Sequence, residues 1–497
     1  MFKNFPGYKL LEKIQKSNSH KRERKLPLNA IKLIFIVAIT SVIALLPTES
    51  FGIEGLTVVH QRIISLFVFA ALMWLTEAMP SWVTSMVVVT IMLLTVSTSA
   101  FNFLRPEDGA GLVPFKSIMA CFANPTIMLF IGGFVLAIGL TKVKLDVALA
   151  RVLLKPFGTR SEIVLLGFIL VTAIFSAFVR NTATAAMMLA FLTPVLKSLP
   201  ADGKGRVALA LAIPVGANLG GMITPIGTPP NMIALDYLSS QGMGISFVDW
   251  TIKMAPFVIL LLVLSWLLLR VLFPFKQKHI KIEIEGDIKW DRHTWSVVAA
   301  FAITIFMWMF GTDLWGVDTN VVAMIPIAIF CATGILTRRD LEEINWSVLW
   351  MVAGGFALGV ALNYKDASSV SLSSLIVNTV PFDNFSPLVV MILAGVICFG
   401  FSNFISHSAA TSLLVPVLGV VAGGLGSSLD SFGGPQAMLV GIAIASSVSM
   451  ILPISTPPNA IAHSTGFIEQ KDMMKVGIII GLMGLALGYA MLIFIGF

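Results

Sequence analysis

Charged residues are scarce in this sequence of 497 residues: Asp, Glu, Lys and Arg together account for 12% of it, while apolar residues account for 57%. Soluble domains usually contain about 25% charged residues. The composition therefore excludes a string of soluble domains. Apolar runs long enough to span a bilayer recur along the chain, and they predict an all-α polytopic membrane protein.

Cysteine is also rare, and the patterns of several kinds of catalysis are missing. The three cysteines, Cys121, Cys331 and Cys398, lie in apolar runs without a Cys-x-x-Cys metal pattern, and we interpret them as packing residues. The sequence has no Walker loop, no zinc-ligand spacing and no nucleophile elbow. We therefore expect that the protein is not an enzyme and that it has no cofactor.

The basic residues that give the net charge of +7 are unevenly distributed. The first 30 residues contain eight Lys and Arg, and no small-residue cleavage site follows the first apolar run. We interpret this segment as cytoplasmic, either as an amphipathic helix on anionic lipid headgroups or as a solvated tail. The distribution requires no nucleic acid partner, and we expect none.

The other Lys and Arg residues constrain the number of crossings, because cytoplasmic loops of membrane proteins are enriched in them. Eleven transmembrane helices plus two re-entrant hairpins place most basic residues on the side of the N-terminus. We predict a multi-pass protein of the cell membrane with a cytoplasmic N-terminus and an external C-terminus. The predicted segments are a basic segment at 1–30, a first transmembrane helix at 31–56, a first repeat at 57–273 with a hairpin at 162–197, a cytoplasmic linker at 274–294, and a second repeat at 295–497 with a hairpin at 386–420.

Two halves of the sequence resemble each other at nearly constant spacing. The Gly-Gly-Phe sequence at 132–134 recurs at 354–356, and Asn181 corresponds to Asn403, both at an offset of 222 residues. With an odd number of crossings in each half, the second half is inverted relative to the first. An inverted repeat is typical of secondary transporters.

A Thr-Pro-Pro-Asn sequence interrupts an apolar segment in each half, at 228–231 and at 456–459. Consecutive prolines remove two backbone donors and end a regular helix. Unwound backbone at membrane depth is tolerated where it is buried in protein or lines a wet cavity, and the N-terminus of the next half-helix attracts anions. A simple proline kink would explain one occurrence, whereas the symmetric pair favours a binding site.

The tips of the two predicted hairpins supply further polar groups. Asn181 and Thr182 lie at the first tip, and Ser402 and Asn403 lie at the second. Amides and hydroxyls can donate to carboxylate oxygens, although any single Ser or Thr could instead bond to its own helix backbone. The repeated asparagine favours a binding role for the tips.

Arg180 and His407 stand within one turn of the tip asparagines, and no acidic residue lies at 163–196 or at 386–420. An ionisable residue at membrane depth is costly and marks a functional site by default. We predict that both residues compensate the charge of an anionic ligand or replace a bound cation. For His407, a satisfied core histidine is an equally weighted alternative.

With these features the chain resembles the divalent anion/sodium symporters, which carry di- and tricarboxylates, over nearly its whole length. The Ser-Asn-Thr triplet of that family reads Arg-Asn-Thr at 180–182 and Ser-Asn-Phe at 402–404. The resemblance implies a homodimer that works as an elevator, with a transport domain sliding against a scaffold. The residues that it implies for substrate binding are Asn181, Thr182, Thr228, Ser402, Asn403, Thr456 and Pro457.

The departures from the family pattern determine the predicted mechanism. Arg180 would repel Na⁺ at the first tip, and the thiol of Cys398 is a poor ligand for a hard cation at the second. We therefore expect a sodium-independent antiporter of C4–C5 dicarboxylates such as succinate, malate, fumarate or 2-oxoglutarate. A sodium-coupled di- or tricarboxylate symporter and an anion channel are the alternatives. In the symporter alternative, the resemblance implies sodium ligands at Ser176, Asn181, Gly227, Asn403 and Ser455.

Overall fold

The computed structural model of the protein describes residues 26–107, 109–200, 203–280, 290–366 and 370–497. Within these ranges the regular elements are helices, accompanied by two isolated β-bridges. The predicted all-α class is confirmed. Most of the predicted basic segment at 1–30, and part of the predicted linker at 274–294, lie outside the described residues.

The described part of the chain before the linker forms eleven α-helices. They are α1 (Leu26–Leu45), α2 (Val58–Thr76), α3 (Ser81–Thr95), α4 (Phe115–Ala120), α5 (Pro125–Lys142), α6 (Leu145–Leu154), α7 (Ser161–Phe178), α8 (Asn181–Ser198), α9 (Lys204–Gly220), α10 (Pro229–Ser240) and α11 (Phe247–Leu272).

A second set of eleven α-helices follows the linker in the described residues. They are α12 (Arg292–Trp315), α13 (Thr319–Val322), α14 (Met324–Ala332), α15 (Arg338–Glu342), α16 (Trp346–Asn363), α17 (Leu372–Thr379), α18 (Pro387–Ser402), α19 (His407–Leu425), α20 (Gly434–Ser447), α21 (Pro457–Ser464) and α22 (Gln470–Phe494). Short 3₁₀ segments lie at Thr48–Phe51, Asn102–Leu104, Cys121–Ala123, Lys155–Phe157, Phe382–Asn384 and Gly426–Phe432.

Many of these helices have the length and composition of membrane spans. Among the described residues, eight helical stretches are long and apolar enough to cross a membrane, and five apolar helices of 10–17 residues accompany them. A polytopic arrangement follows from this set. The predicted number of eleven crossings stays a prediction, because length and apolarity alone do not determine which of the shorter helices cross.

Helix boundaries in the two halves correspond at the spacing found in the sequence. The pair α7 and α8 corresponds to the pair α18 and α19, and these pairs coincide with the two predicted hairpins. The amphipathic helices α6 and α17, which follow α5 and α16, were not among the predicted spans. Polar residues on one face interrupt each of these short sequences, so a search for continuous apolar runs misses them.

Close helix crossings link each half to the other. A Cβ atom on Gly132 of α5 would lie 2.5 Å from the carbonyl oxygen of Ala323, which precedes α14, and one on Gly354 of α16 would lie 2.4 Å from Cβ of Ser85 in α3. The Ser85 hydroxyl donates to the carbonyl oxygen of Met351 at 3.1 Å. The two glycines of the sequence repeat therefore occupy equivalent crossings, where a larger residue would separate the helices.

An ion pair also joins the halves. Lys142, at the end of α5, lies 2.5 Å from the carboxylate of Asp340 in α15 and donates to the carbonyl oxygen of Ile335. Burial opposes the charged form of Asp340, but hydrogen bonds from Lys142 and Thr337 outweigh it and hold the pKa of this carboxyl below its ordinary value. The contact fixes the start of α16 relative to α5.

Both predicted interruptions are present as unwound loops. The first separates α9 from α10, and the second separates α20 from α21. The Asn231 side-chain amide donates to the carbonyl oxygens of Gly221 and Thr224, and the Asn459 amide donates to those of Met450 and Leu452. The asparagine of each Thr-Pro-Pro-Asn sequence therefore satisfies carbonyl groups that unwinding leaves without helical partners.

Candidate functional site

A cavity of about 430 Å³ lies where the two hairpin tips meet the two unwound loops. Its remaining walls come from α5 and from the starts of α3 and α16. The predicted site residues in its lining are Arg180, Asn181, Thr182, Gly227, Thr228, His407, Ser455, Thr456 and Pro457.

Six helices begin at this cavity: α3, α16 and four helices that start at the hairpin tips and the unwound loops. The first residues or N-caps of α8, α10, α19 and α21 are all in the lining, and the helices have 18, 12, 19 and 8 residues. The start of α16 reaches the cavity from another side. Each helix N-terminus carries a partial positive charge, and those without leading prolines also present unpaired N–H groups, so the combined field in the cavity favours an anion.

Arg180 is the N-cap of α8, and its guanidinium lies against the ring of Phe134, with its central carbon 5.0 Å from the ring centre. Among the described residues it has no carboxylate or hydrogen-bond partner. Its side chain makes no cap for α8, so the N–H groups of the first helical turn also remain available. This arrangement leaves the guanidinium and these donors for a ligand in the cavity.

The first tip is fixed by a small hydrogen-bond network. The hydroxyl oxygen of Ser176 lies 2.7 Å from Oδ1 of Asn181 and 2.7 Å from the carbonyl oxygen of Ala217. The Asn181 amide packs so closely on Gly221 that a Cβ atom there would lie 2.7 Å from Oδ1. Ser176 itself is fully buried and stands behind the lining. Ser176 thus holds the side-chain amide of Asn181 against α9.

The second tip differs from the first. Asn403 corresponds to the first residue of α8, but α19 begins only at His407, four residues later. Ser406, His407 and Ser408 therefore reach the cavity. The repeat in sequence did not reveal this difference, because the asparagine is preserved at position 403 while the helical turn is lost.

Ser402 and Asn403 lie outside the cavity lining in this conformation. The buried Ser402 hydroxyl donates to that of Ser446. Asn403 donates from Nδ2 to the carbonyl oxygen of Phe399 at 2.7 Å, and its Oδ1 accepts from the N–H of Ile451 at 2.9 Å. Both residues hold the second tip to α20 and to the unwound loop that follows it. Their role as substrate ligands stays a prediction.

The imidazole of His407 is tied to the second unwound region. Its Nε2 atom lies 2.6 Å from the carbonyl oxygen of Ser449. A carbonyl oxygen can only accept, so Nε2 must carry a hydrogen. One ring nitrogen of His407 is thus satisfied in the core while the residue lines the cavity, and its role in charge compensation stays a prediction.

Ser406 was expected at the second tip, and it lines the cavity. Several other lining residues were not among those predicted from the sequence. Asn218 in α9 is 2% exposed and donates from Nδ2 to Thr456 and Asn459 across the two halves. A lone asparagine within the apolar run of α9 was the available signal. The other unpredicted polar or aromatic lining residues are Ser81, Trp82, Phe130, Phe134, Asn345, Ser347 and Ser408.

Comparisons with known proteins agree with this architecture. Residues 28–496 match the family described as "Sodium:sulfate symporter transmembrane region". An uncharacterized transporter of Haemophilus influenzae is 30% identical over 469 residues, which cover 91% of this chain and 94% of that protein. The sodium-dependent dicarboxylate transporter SdcS of Staphylococcus saprophyticus is 27% identical over 461 residues, covering 85% of this chain and 83% of that one.

A solved structure supports the same fold. The YdaH transporter of Alcanivorax borkumensis, whose crystal structure has an unusual topology, matches with a TM-score of 0.53 at 12% identity, covering 86% of this chain and 97% of that chain. At this identity the likeness concerns the fold alone. Because the family match spans nearly the whole chain, the protein is a multi-pass membrane transporter that belongs to the sodium:sulfate symporter family, the divalent anion/sodium symporters.

Proposed function

We propose that this transporter exchanges C4–C5 dicarboxylates across the cell membrane by sodium-independent antiport. The observation that carries the proposal is the meeting of an unpaired guanidinium, that of Arg180, with six helix N-termini at one cavity in the described part of the chain. Succinate, malate, fumarate and 2-oxoglutarate are the substrates that we expect.

The electrostatics of the cavity support an anionic substrate. Its lining contains Arg180 and His407 but no acidic residue in the part of the chain that the structure describes. Hydrogen bonds from a cationic or dipolar donor to a carboxylate are stronger than those between neutral groups. A carboxylate at the first tip would receive donors from the guanidinium and from the first turn of α8.

The size and the polarity of the cavity support a small substrate with two anionic groups. A volume of about 430 Å³ is at the lower end of the range of about 300–1,000 Å³ that is usual for small-molecule sites. Donors stand on two sides, Arg180 and Thr182 at the first tip and Ser406, Ser408 and Thr456 near the second. The name of the similar protein SdcS, a dicarboxylate transporter, favours carboxylates among the possible anions.

The contacts of the candidate sodium ligands support independence from sodium. Near the second tip, Oδ1 of Asn403 accepts from the N–H of Ile451, and the Ser449 carbonyl oxygen accepts from His407. The Asn403 oxygen that would bind a cation at this tip therefore already accepts a hydrogen bond from the protein, and a second donor, His407, is held close by. At the first tip, Arg180 directly precedes Asn181 in the chain, so its charge would repel Na⁺ there.

Exchange follows from the fixed charge of Arg180. A loaded dicarboxylate compensates the guanidinium, whereas the empty site carries that charge uncompensated through the crossing step. Because an unpaired charge in a medium of low dielectric constant is costly, the empty form should cross slowly. The loaded form then moves in both directions, and net uptake requires an internal substrate.

The same proposal includes the elevator movement and the homodimer implied by the family. The lining contributed by Pro80, Trp82 and Asn345 comes from ends of α3 and α16 that we predict to be cytoplasmic. We infer an inward-open state, in which the hairpin pairs α7–α8 and α18–α19 travel with the substrate against α3 and α16.

Purified protein in liposomes tests the proposed function. Labelled succinate is supplied outside, with choline replacing all sodium, to vesicles that are either empty or preloaded with succinate or 2-oxoglutarate. We expect uptake in the preloaded vesicles alone. Equal uptake in empty vesicles without sodium would indicate a channel, and uptake that requires a sodium gradient would establish the symporter alternative.

A further inference from the structure

Two backbone carbonyl groups fix the orientation of the Asn459 amide. Its Nδ2 atom lies 2.9 Å from the carbonyl oxygen of Met450 and 3.1 Å from that of Leu452. Because carbonyl oxygens only accept, the NH₂ group of Asn459 must face them. Its Oδ1 atom therefore points to the other side, towards Asn218.

Asn218 must then present its own NH₂ group to Asn459. Its Nδ2 atom lies 3.0 Å from Oδ1 of Asn459 and 3.2 Å from Oγ1 of Thr456. An amide NH₂ has two hydrogens, and this geometry directs one to each oxygen. Asn218 is 2% exposed, so the surrounding protein holds the amide in this position.

The hydroxyl oxygen of Thr456 accordingly receives two hydrogen bonds. One comes from Asn218, and the other comes from the backbone N–H of Asn459 at 3.1 Å, for which Thr456 is the N-cap. A hydroxyl oxygen has two lone pairs, and both are occupied. Its hydrogen has no acceptor among the described residues, and Thr456 lines the cavity. The hydrogen is thus available to a ligand.

We propose that Asn218 is a positioning residue that makes Thr456 an obligatory hydrogen-bond donor to the substrate. The inference rests on the proposed function and specifies its chemistry. The subsite beside Thr456 selects an oxygen that accepts and does not donate, as in a carboxylate. An amide NH₂ or a protonated carboxyl hydroxyl at this position would present a donor to an oxygen whose lone pairs are already used.

The first unwound loop lacks this arrangement and supplies an internal control. Position 446, which corresponds to Asn218 at the offset of 228, is a serine that donates to the carbonyl oxygen of His407. Oδ1 of Asn231 is left without a hydrogen-bond partner in the described part of the chain. Thr228 makes no cap hydrogen bond, so its hydroxyl is free to rotate between donor and acceptor roles.

A double-mutant cycle tests the inference in preloaded liposomes. Thr456→Val removes the donor, and we expect it to raise KM for succinate by about tenfold or more, as for loss of a hydrogen bond to a charged group. Asn218→Asp has nearly the same shape but accepts, which would turn the Thr456 hydroxyl inward and raise KM, measured per amount of folded protein. Adding Thr456→Val to Asn218→Asp should then raise KM by less than about twofold.

Asn218→Asp also introduces a negative charge. A neutral variant at position 218 and a substitution in the first unwound loop separate the effect of this charge from the effect on Thr456. Asn218→Leu should also raise KM, less than Asn218→Asp, and should be non-additive with Thr456→Val. Both variants at position 218 should combine multiplicatively with Thr228→Val, because Thr228 has no link to Asn218. If Asn218 had a purely structural role, substituting it would lower the melting temperature and the maximal rate. Both losses would then be the same in the protein with Thr456 and in the Thr456→Val variant.

Substrate selection gives a second readout. In competition with labelled succinate, the wild type should prefer succinate over its monoamide, succinamate, and Asn218→Leu should reduce this preference. The inference would be overturned if the substitutions at positions 218 and 456 multiplied each other's effects on KM, or if Asn218→Leu left the preference for succinate over succinamate unchanged. Exchange of succinate by the wild type would still support the proposed function in either case. If the wild type exchanges sulfate but no dicarboxylate, the proposed function fails, and the same cycle measured with sulfate still tests Asn218.

Discussion

The guanidinium of Arg180 rests on the face of the Phe134 ring, 5.0 Å from its centre, at the wall of the cavity. Arg180 comes from the first hairpin tip and Phe134 comes from α5, so the contact joins an element that moves in the proposed elevator to a helix outside the two hairpins. The ring stabilises the cation and restricts its orientation, and the proposed function assigns the free edge of the guanidinium to the substrate.

Replacing Phe134 tests the value of this contact. Phe134→Leu should raise KM for succinate between about twofold and about thirtyfold, the range expected for a partly desolvated cation–π contact. Phe356→Leu is the matched control, because Phe356 occupies the corresponding position at the offset of 222 and lies outside this cavity. Equal KM values for the two variants would show that the ring does not position Arg180.

The tip asparagines should respond differently to the same substitution. Asn403 is 3% exposed and holds two backbone groups, so Asn403→Ala should reduce the free energy of unfolding by about 1–3 kcal/mol. Asn181 lines the cavity, so Asn181→Ala should mainly raise KM for succinate. Melting temperatures and exchange kinetics of both variants measure this difference. A larger KM effect for Asn403→Ala than for Asn181→Ala would place Asn403 at the substrate.

Much of the site was predictable because membrane burial leaves few explanations for polar residues. Arg180, Asn181 and the two Thr-Pro-Pro-Asn sequences stand out against apolar flanks, and each reaches the cavity. The repeat also indicated that the two halves share a pattern. The fold class and the interrupted helices follow from the same contrast between polar groups and apolar surroundings.

The second tip shows where the sequence was insufficient. Repetition predicted that Ser402 and Asn403 would mirror the first tip, but loss of the first turn of α19 moves Ser406 and Ser408 to the cavity instead. Such a shift depends on the contacts of Asn403 with Phe399 and with the distant Ile451, which no local pattern specifies. Asn218 was missed for the same reason, since its partners are more than 200 positions away.

A pair of glycines on α16 tests the close crossing between the halves. Gly354→Ala would place Cβ 2.4 Å from that of Ser85, and we expect overpacking to reduce the free energy of unfolding by about 1–3 kcal/mol. Gly359→Ala meets no atom within 4 Å and should be neutral or stabilising by up to about 1 kcal/mol, because alanine favours the helix. Thermal unfolding in detergent compares them, and equal melting temperatures would contradict the crossing.

The contact between α5 and α10 should hold the present conformation. The Thr126 hydroxyl donates to the carboxylate of Asp236 at 2.7 Å. Thr126→Val leaves that carboxylate with one donor fewer and should lower stability by about 1–3 kcal/mol. Thr90→Val is the control, since the Thr90 hydroxyl is exposed and bonds to its own helix. Indistinguishable melting temperatures for the two variants would rule out a stabilising role for the Thr126 contact.

Sodium-free exchange by Arg180 variants tests the central claim most directly, because the proposed mechanism requires a fixed positive charge at the first tip. Succinate exchange is measured in preloaded liposomes for the wild type, Arg180→Ser, Arg180→Lys and Arg206→Ser. Arg206 is the matched control, since it also lies over an aromatic ring, that of Phe467, but outside the cavity. We predict that Arg180→Ser loses at least about tenfold in exchange rate, that Arg180→Lys retains part of it, and that Arg206→Ser exchanges normally. Exchange by Arg180→Ser at the wild-type rate without sodium would contradict the account.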